Sequence, residues 1–228
     1  MSKEIYKIIR KMRVERGFSQ LEMAKKLDIS RTSYLAIEQG KRELSLAEAQ
    51  KIAALFGISL EEIENGLTPN VPKYKQMILA YLRGAASSDG KIPKTKLAKL
   101  LYLADFAWFY DHLQSMSGMS YRKFQYGPVP DPYFRIIDEL FEEGKIEIEN
   151  TTDGAMLISA TTSGLREGLS ALHADEKTLI ETISKKWKGK RTQEIVAFTH
   201  GQLPYLVSHE NEIIPYEVIT QENVEDLY

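Results

Sequence analysis

The chain contains no cysteine, which excludes disulfides, thiolate nucleophiles and every cysteine-ligated zinc or iron–sulfur centre. It has no apolar run long enough to span a bilayer, and its opening residues lack the basic–apolar–small pattern of a secretory leader. No membrane contact is expected, and a reducing cytoplasm is the expected location. Histidine is scarce. His112, His173, His200 and His209 form neither an i, i+4 pair nor an HExxH run, so metal binding is not expected. Neither a phosphate-cradling GxxxxGK[ST] loop nor a GxSxG elbow is present. We therefore assign no catalytic residue, cofactor or metal, and expect the protein not to be an enzyme. What remains is ordinary globular composition, 43% hydrophobic and 27% charged over 228 residues, enough for two small domains.

Charge is unevenly spread. Residues 1–52 carry 12 Lys/Arg against 7 Asp/Glu, whereas residues 53–228 carry 18 against 25. A basic end on an acidic body suggests a polyanion for one end and a different partner for the other.

Three capping boxes punctuate the basic end: Ser19-x-x-Glu22, Ser45-x-x-Glu48 and Ser59-x-x-Glu62. Together with the apolar spacing of Ile5, Ile8, Ile9 and Met12, the cap at Ser30 and the stops at Gly17, Gly40 and Gly57, they predict five short helices in about 65 residues. The second and third are joined by a turn at Asp28-Ile29. Met23, Ala24, Leu27, Tyr34 and Ile37 face inward, leaving Arg31, Thr32 and Ser33 at the start of the third helix, with Ala36 one turn on. Residues so placed enter the DNA major groove when such a helix docks. Arg31 suits a bidentate contact to guanine, Thr32 and Ser33 offer hydroxyls, and Ala36 suits a thymine methyl. Gln20, Lys41 and Arg42 are expected on phosphates.

Residues 5–63 resemble the Xre/Cro-type helix-turn-helix repressors, on the Ser19-Gln20 opening, Ala24 and the Glu38-x-Gly40-Lys41 ending. That resemblance implies an ion pair between Arg13 and Glu38. It also implies a homodimer on a palindromic operator, with two recognition helices one helical turn apart. Asp28 stands where the family usually has a left-handed glycine, a conformation Asp tolerates.

Asn65–Pro72 is rich in turn residues and without period, so we read 1–66 as one domain, 67–72 as a linker and 73–228 as a second domain. The second should be mainly helical, with a loop over Gly84–Pro93, a strand over Tyr121–Tyr126 and a helix opened by Asp131-Pro132. A β-hairpin (Lys145–Asn150, Ala155–Ala160) turns at Asp153-Gly154, and two later helices lie near Asp175–Trp187 and Thr192–Thr199. Its aromatic residues should largely build a core, with some left for an interface. Tyr126-Gly127-Pro128 reads as a rigid turn.

Three runs of this region resemble the SocA-like Panacea domain over residues 73–206: Lys96-Leu97-x-Lys99-Leu100-Leu101-Tyr102, Phe124-x-Tyr126-Gly127-Pro128-Val129, and Thr199-His200-x-x-x-Pro204-Tyr205. Tyr205 stands where that family usually has tryptophan. The resemblance implies an antitoxin that binds a cognate toxin and, through the helix-turn-helix, represses its own operon. Trp108, Tyr126, Gly127, Pro128, His200 and Tyr205 are the candidate toxin-interface residues. The alternatives are a ligand-responsive repressor and an adaptor delivering a toxin to a protease.

Overall fold

A computed structural model describes residues 4–56, 69–84, 89–152 and 154–228. The chain divides into two compact units, one ending at Pro69 and the other beginning at Asn70. The fold is mostly helical with small antiparallel sheets.

In the first unit α1 (Glu4–Glu15), α2 (Gln20–Leu27), α3 (Arg31–Glu38) and α4 (Leu46–Phe56) close around one core. Ile5, Ile9 and Met12 of α1 meet Met23, Ala24 and Leu27 of α2, Tyr34 and Ile37 of α3, and Ile52 and Phe56 of α4. Local chemistry sets the ends. Ser19 Oγ accepts from the Glu22 amide (3.2 Å) while Glu22 accepts from the Ser19 amide (2.7 Å), and Ser45 and Glu48 repeat the exchange. Ser30 Oγ accepts from the Ser33 amide and starts α3. Asp28 closes α2 in the left-handed region, φ 61°, where its amide and that of Ile29 satisfy the last carbonyls of the helix. The expected fifth helix, with Ser59, Glu62 and the stop at Gly57, lies outside the described residues.

The second unit is built on α6 (Lys94–His112), which is buried on nearly every side over Leu97–Ala107. α5 (Val71–Arg83), α9 (Ala174–Trp187) and α10 (Thr192–Gly201) pack against it. The end of the expected linker belongs to α5: Asn70 caps it, Oδ1 accepting from the Lys73 amide at 3.0 Å, and Pro72 sits in its first turn.

Strand β5 (Met156–Ala160) lies between β4 (Ile146–Asn150) and the short β1 (Ile92–Pro93), with Ile158 opposite both Ile148 and Ile92. The hairpin thus forms as expected, turning through Gly154 at φ 82°. Part of the expected loop, Ile92–Pro93, is recruited as its third strand.

Two expectations fail locally. The Tyr121–Tyr126 strand is only β2 (Tyr121–Arg122), paired with β3 (Val129–Pro130). Beyond Arg122 the Gly127 amide donates to Phe124 O at 2.7 Å, so a tight turn replaces the ladder. α7 (Tyr133–Glu142) has Pro132 at its cap position, because the Asp131 carboxylate accepts instead from Arg122 Nε at 2.8 Å. Two short helices, α8 (Thr162–Arg166) and α11 (Leu203–Val207), carry no periodic signal of their own length.

The segment entering β2 hangs on one buried carboxylate. Asp105 of α6 accepts from Ser115 Oγ, the Ser117 amide and hydroxyl, and Tyr121 Oη, at 2.5–2.9 Å. Burial raises its carboxyl above the ordinary range despite these four donors.

Candidate functional sites

The candidate reading positions of the first unit lie where helix spacing puts them. Arg31 and Thr32 are exposed at the start of α3, with Ser33 and Ala36 partly exposed beside them. Their polar atoms are already engaged: Ser30 Oγ lies 2.8 Å from Thr32 Oγ1 and donates to Ser33 Oγ at 2.9 Å. These hydroxyls and the Ser30 cap thus form one hydrogen-bonded group at the start of α3.

Behind this surface runs a polar chain. Arg13 Nε donates to Glu38 at 2.5 Å, forming the pair implied by the family resemblance, and its Nη1 donates to Phe18 O. Gln20 Nε2 donates to the same Glu38 carboxylate at 2.9 Å, while its Oε1 faces Arg31 Nη2 at 3.5 Å. Burial alone would raise the Glu38 carboxyl, but the hydrogen bonds from Arg13 and Gln20 outweigh it and hold the group below the usual carboxylate range. Gln20 is accordingly less free to seek a phosphate than its place at the start of α2 suggests.

The two basic residues after α3 differ. Lys41 is exposed, whereas Arg42 Nη2 donates to Glu48 at 2.8 Å, so part of its charge is spent inside the protein. The α3 exit is tight, both amides reaching back to Ala36 O.

In the second unit, most of the candidate residues converge. Gly127 sits at φ 92°, and a Cβ there would lie 2.6 Å from Lys99 Cε and 3.0 Å from His200 Nε2. Only glycine fits, for reasons of both angle and space. Lys99 is fully buried, and its Nζ donates to Pro128 O at 2.9 Å. Burial pushes this ammonium down to about 7.

The His200 ring lies flat on Tyr205, centroids 4.4 Å apart and 7° from parallel. Burial, and then the charges of Lys99 and Lys123, lower its imidazole. Tyr205 is buried, not presented to a partner: its hydroxyl donates to Phe124 O at 2.9 Å, and Lys123 Nζ sits 4.4 Å above its ring. Gly127 and Pro128 are buried as well, so the exposed member is Tyr126, at 71%. Trp108 is not part of this cluster. It lies nine residues along α6 from Lys99, about 13 Å of helix rise, and stacks on His112 at 3.7 Å.

Lys99 and Lys123 were not singled out as functional from the sequence. Lys99 interrupts an otherwise apolar stretch of helix within the Lys96–Tyr102 run of the family resemblance, and these are the signals that mark it.

Comparison with known proteins agrees with both halves. Residues 9–73 match the helix-turn-helix family model, and residues 97–204 match that of the antitoxin SocA-like, Panacea domain. The chain is a helix-turn-helix regulator module fused to a Panacea domain.

The first module is 43% identical over 56 residues to the control protein C.MunI of Mycoplasma sp, covering 24% of this chain and 76% of that protein. It is 47% identical over 47 residues to an HTH-type transcriptional regulator of Methanocaldococcus jannaschii, covering 21% and 71%. It is also 32% identical over 63 residues to the cryptic phage CTXphi transcriptional repressor RstR of Vibrio cholerae, covering 28% and 57%. No solved structure matches the chain. Among the described residues no helix is long and apolar enough to cross a membrane.

Proposed function

We propose that the protein is an antitoxin that neutralises a cognate toxin through its Panacea domain and represses its own operon through its helix-turn-helix. The observation that carries this reading is the fusion itself. A set of exposed and partly exposed candidate reading positions on α3 shares one chain with a domain whose family is antitoxin-like. Relatives of the first module include a protein named as a control protein and one named as a transcriptional repressor, which supports operon control.

The two modules divide the work. Arg31, Thr32, Ser33 and Ala36 read bases, while Lys41, with a lesser share from Arg42, neutralises phosphates. A homodimer in the cytoplasm presents two such helices to a palindromic operator. Neutralisation is stoichiometric binding without catalysis, and its contact surface centres on Tyr126, the exposed tip of the turn held by Gly127, Pro128, His200 and Tyr205. Trp108 serves as a separate contact at most.

Co-expression decides the antitoxin part. The gene adjoining this one should arrest growth when expressed alone, and the full chain should restore growth and co-purify with its product at fixed stoichiometry. A neighbour that is harmless alone, or arrest unrelieved by the full chain at matched expression, overturns it. Gel shift on the DNA upstream of the gene decides the repressor part: binding there no tighter than to random duplex rejects it.

A further inference from the structure

We infer that Lys99 is a positioning residue for the partner-binding turn, holding Tyr126 in one pose from beneath. The inference rests on the reading of Tyr126 as a contact residue.

The turn at residues 124–128 is tied at several points, none of them on Tyr126 itself. Phe124 O accepts both the Gly127 amide and the Tyr205 hydroxyl. Pro128 O accepts from Lys99 Nζ. Lys99 Cε and the Nε2 edge of His200 occupy the space a Cβ on Gly127 would need, 2.6 and 3.0 Å from it. Lys123 closes the far side by donating to the carbonyls of Tyr205 and Ser208, both at 2.9 Å.

These ties are costly. Lys99 is wholly buried, and among the described residues no carboxylate pairs with it. His200 Nε2 is buried beside it with no hydrogen-bond partner among the described residues. A methionine at position 99 would fill a similar volume and remove the cost of burying a charge, set against the one donor lost to Pro128 O. The lysine contributes something methionine cannot, a donor to Pro128 O. The large side chain that this anchorage leaves in solvent is Tyr126. With the backbone fixed beneath it, this ring has only its two side-chain torsions to order on binding, which favours a hot spot. Stability is exchanged here for presentation.

The test is Lys99→Met in the full chain, with three readouts: melting temperature, hydrogen exchange of the Gly127 amide, and affinity for the product of the adjoining gene. Positioning predicts an unchanged or raised melting temperature, together with Gly127 exchange faster by roughly tenfold. Affinity falls by about tenfold or more, and the loss is absent when Tyr126→Ala is already in place. A Gly127 amide as protected as in the parent overturns the inference, as does a Lys99→Met loss that adds fully to that of Tyr126→Ala. If Tyr126→Ala leaves affinity unchanged, the contact reading fails, while the exchange measurement still decides whether Lys99 holds the turn. Should Lys99→Met not fold, Gly127→Ala probes the same contact from the other side, and an unaltered turn there overturns it equally.

Discussion

The amide of Gln20 stands between Glu38 and Arg31, its nitrogen donating to the buried carboxylate at 2.9 Å and its oxygen 3.5 Å from the guanidinium. Glu38 is itself held by Arg13, so Arg31 is linked to the interior of the module through one side chain.

Arg31→Ala should cost ~1–3 kcal/mol on the operator and relax preference at one base pair, read by competition with single-base variants. Gln20→Ala should weaken operator binding less and preserve base preference, because it loosens Arg31 without removing it. Equal losses for Arg31→Ala on cognate and random duplex would remove Arg31 from the reading set.

Lys41 and Arg42 should separate in salt titrations. Lys41→Ala flattens the slope of log affinity against log salt by about one unit. Arg42→Ala flattens it less and also lowers the melting temperature, since Glu48 then loses the guanidinium at 2.8 Å. Identical slopes and melting temperatures for the two variants would contradict the assigned division.

Asp28→Gly should stabilise the first unit, by about 0.5–1 kcal/mol, because position 28 is left-handed and has no use for a Cβ. Asp28→Val should destabilise it by more. Urea unfolding of the isolated helix-turn-helix reads both, and the opposite order would mean that the Asp carboxylate does more than tolerate the angle.

The buried lysine gives the Panacea domain a pH signature. Lys99 titrates near 7 folded and near 10.5 unfolded, so between these values the unfolded chain holds one proton more. Its contribution is therefore unfavourable in full below about pH 7 and fades as pH rises toward 10. His200 on α10 and Lys123 after β2 face the same corner, and the lowered imidazole adds in the same direction just below its ordinary value. The stability difference, Lys99→Met minus parent, should be largest near pH 6. It should shrink by about 1.4 kcal/mol per pH unit above 7. Denaturant melts at pH 6, 7, 8 and 9 give it directly, and a difference independent of pH would mean that Lys99 is charged throughout.

The boundary can be tested with two fragments. One beginning at Pro69 keeps the Asn70 cap and the bond from its amide to Ser117 O (2.8 Å), whereas one beginning at Lys73 loses both. The longer fragment should melt higher, by the worth of a cap, about 1 kcal/mol. Equal melting would place the boundary after Pro72 in energetic terms.

The sequence by itself determined what short-range chemistry determines. Ser19, Ser30 and Ser45 mark helix starts, Asp28 marks a left-handed end and Gly154 a hairpin, because each acts on backbone groups within about four residues. The exposed face of α3 was equally legible, since helix period alone separates Tyr34 and Ile37 from Arg31 and Thr32. Tertiary structure decided the rest. Asp131 looked like a cap until Arg122 claimed its carboxylate. Arg42 reads as a basic surface residue, yet its Nη2 is held by Glu48 within the fold. Tyr126 and Tyr205 looked alike as marked aromatic residues, yet one is exposed and the other buried under Lys123. Above all, the packing of Gly127 on Lys99 and His200 joins three distant stretches of chain. No local pattern encodes such a contact, because its energy depends on which side chains the completed fold excludes from water together.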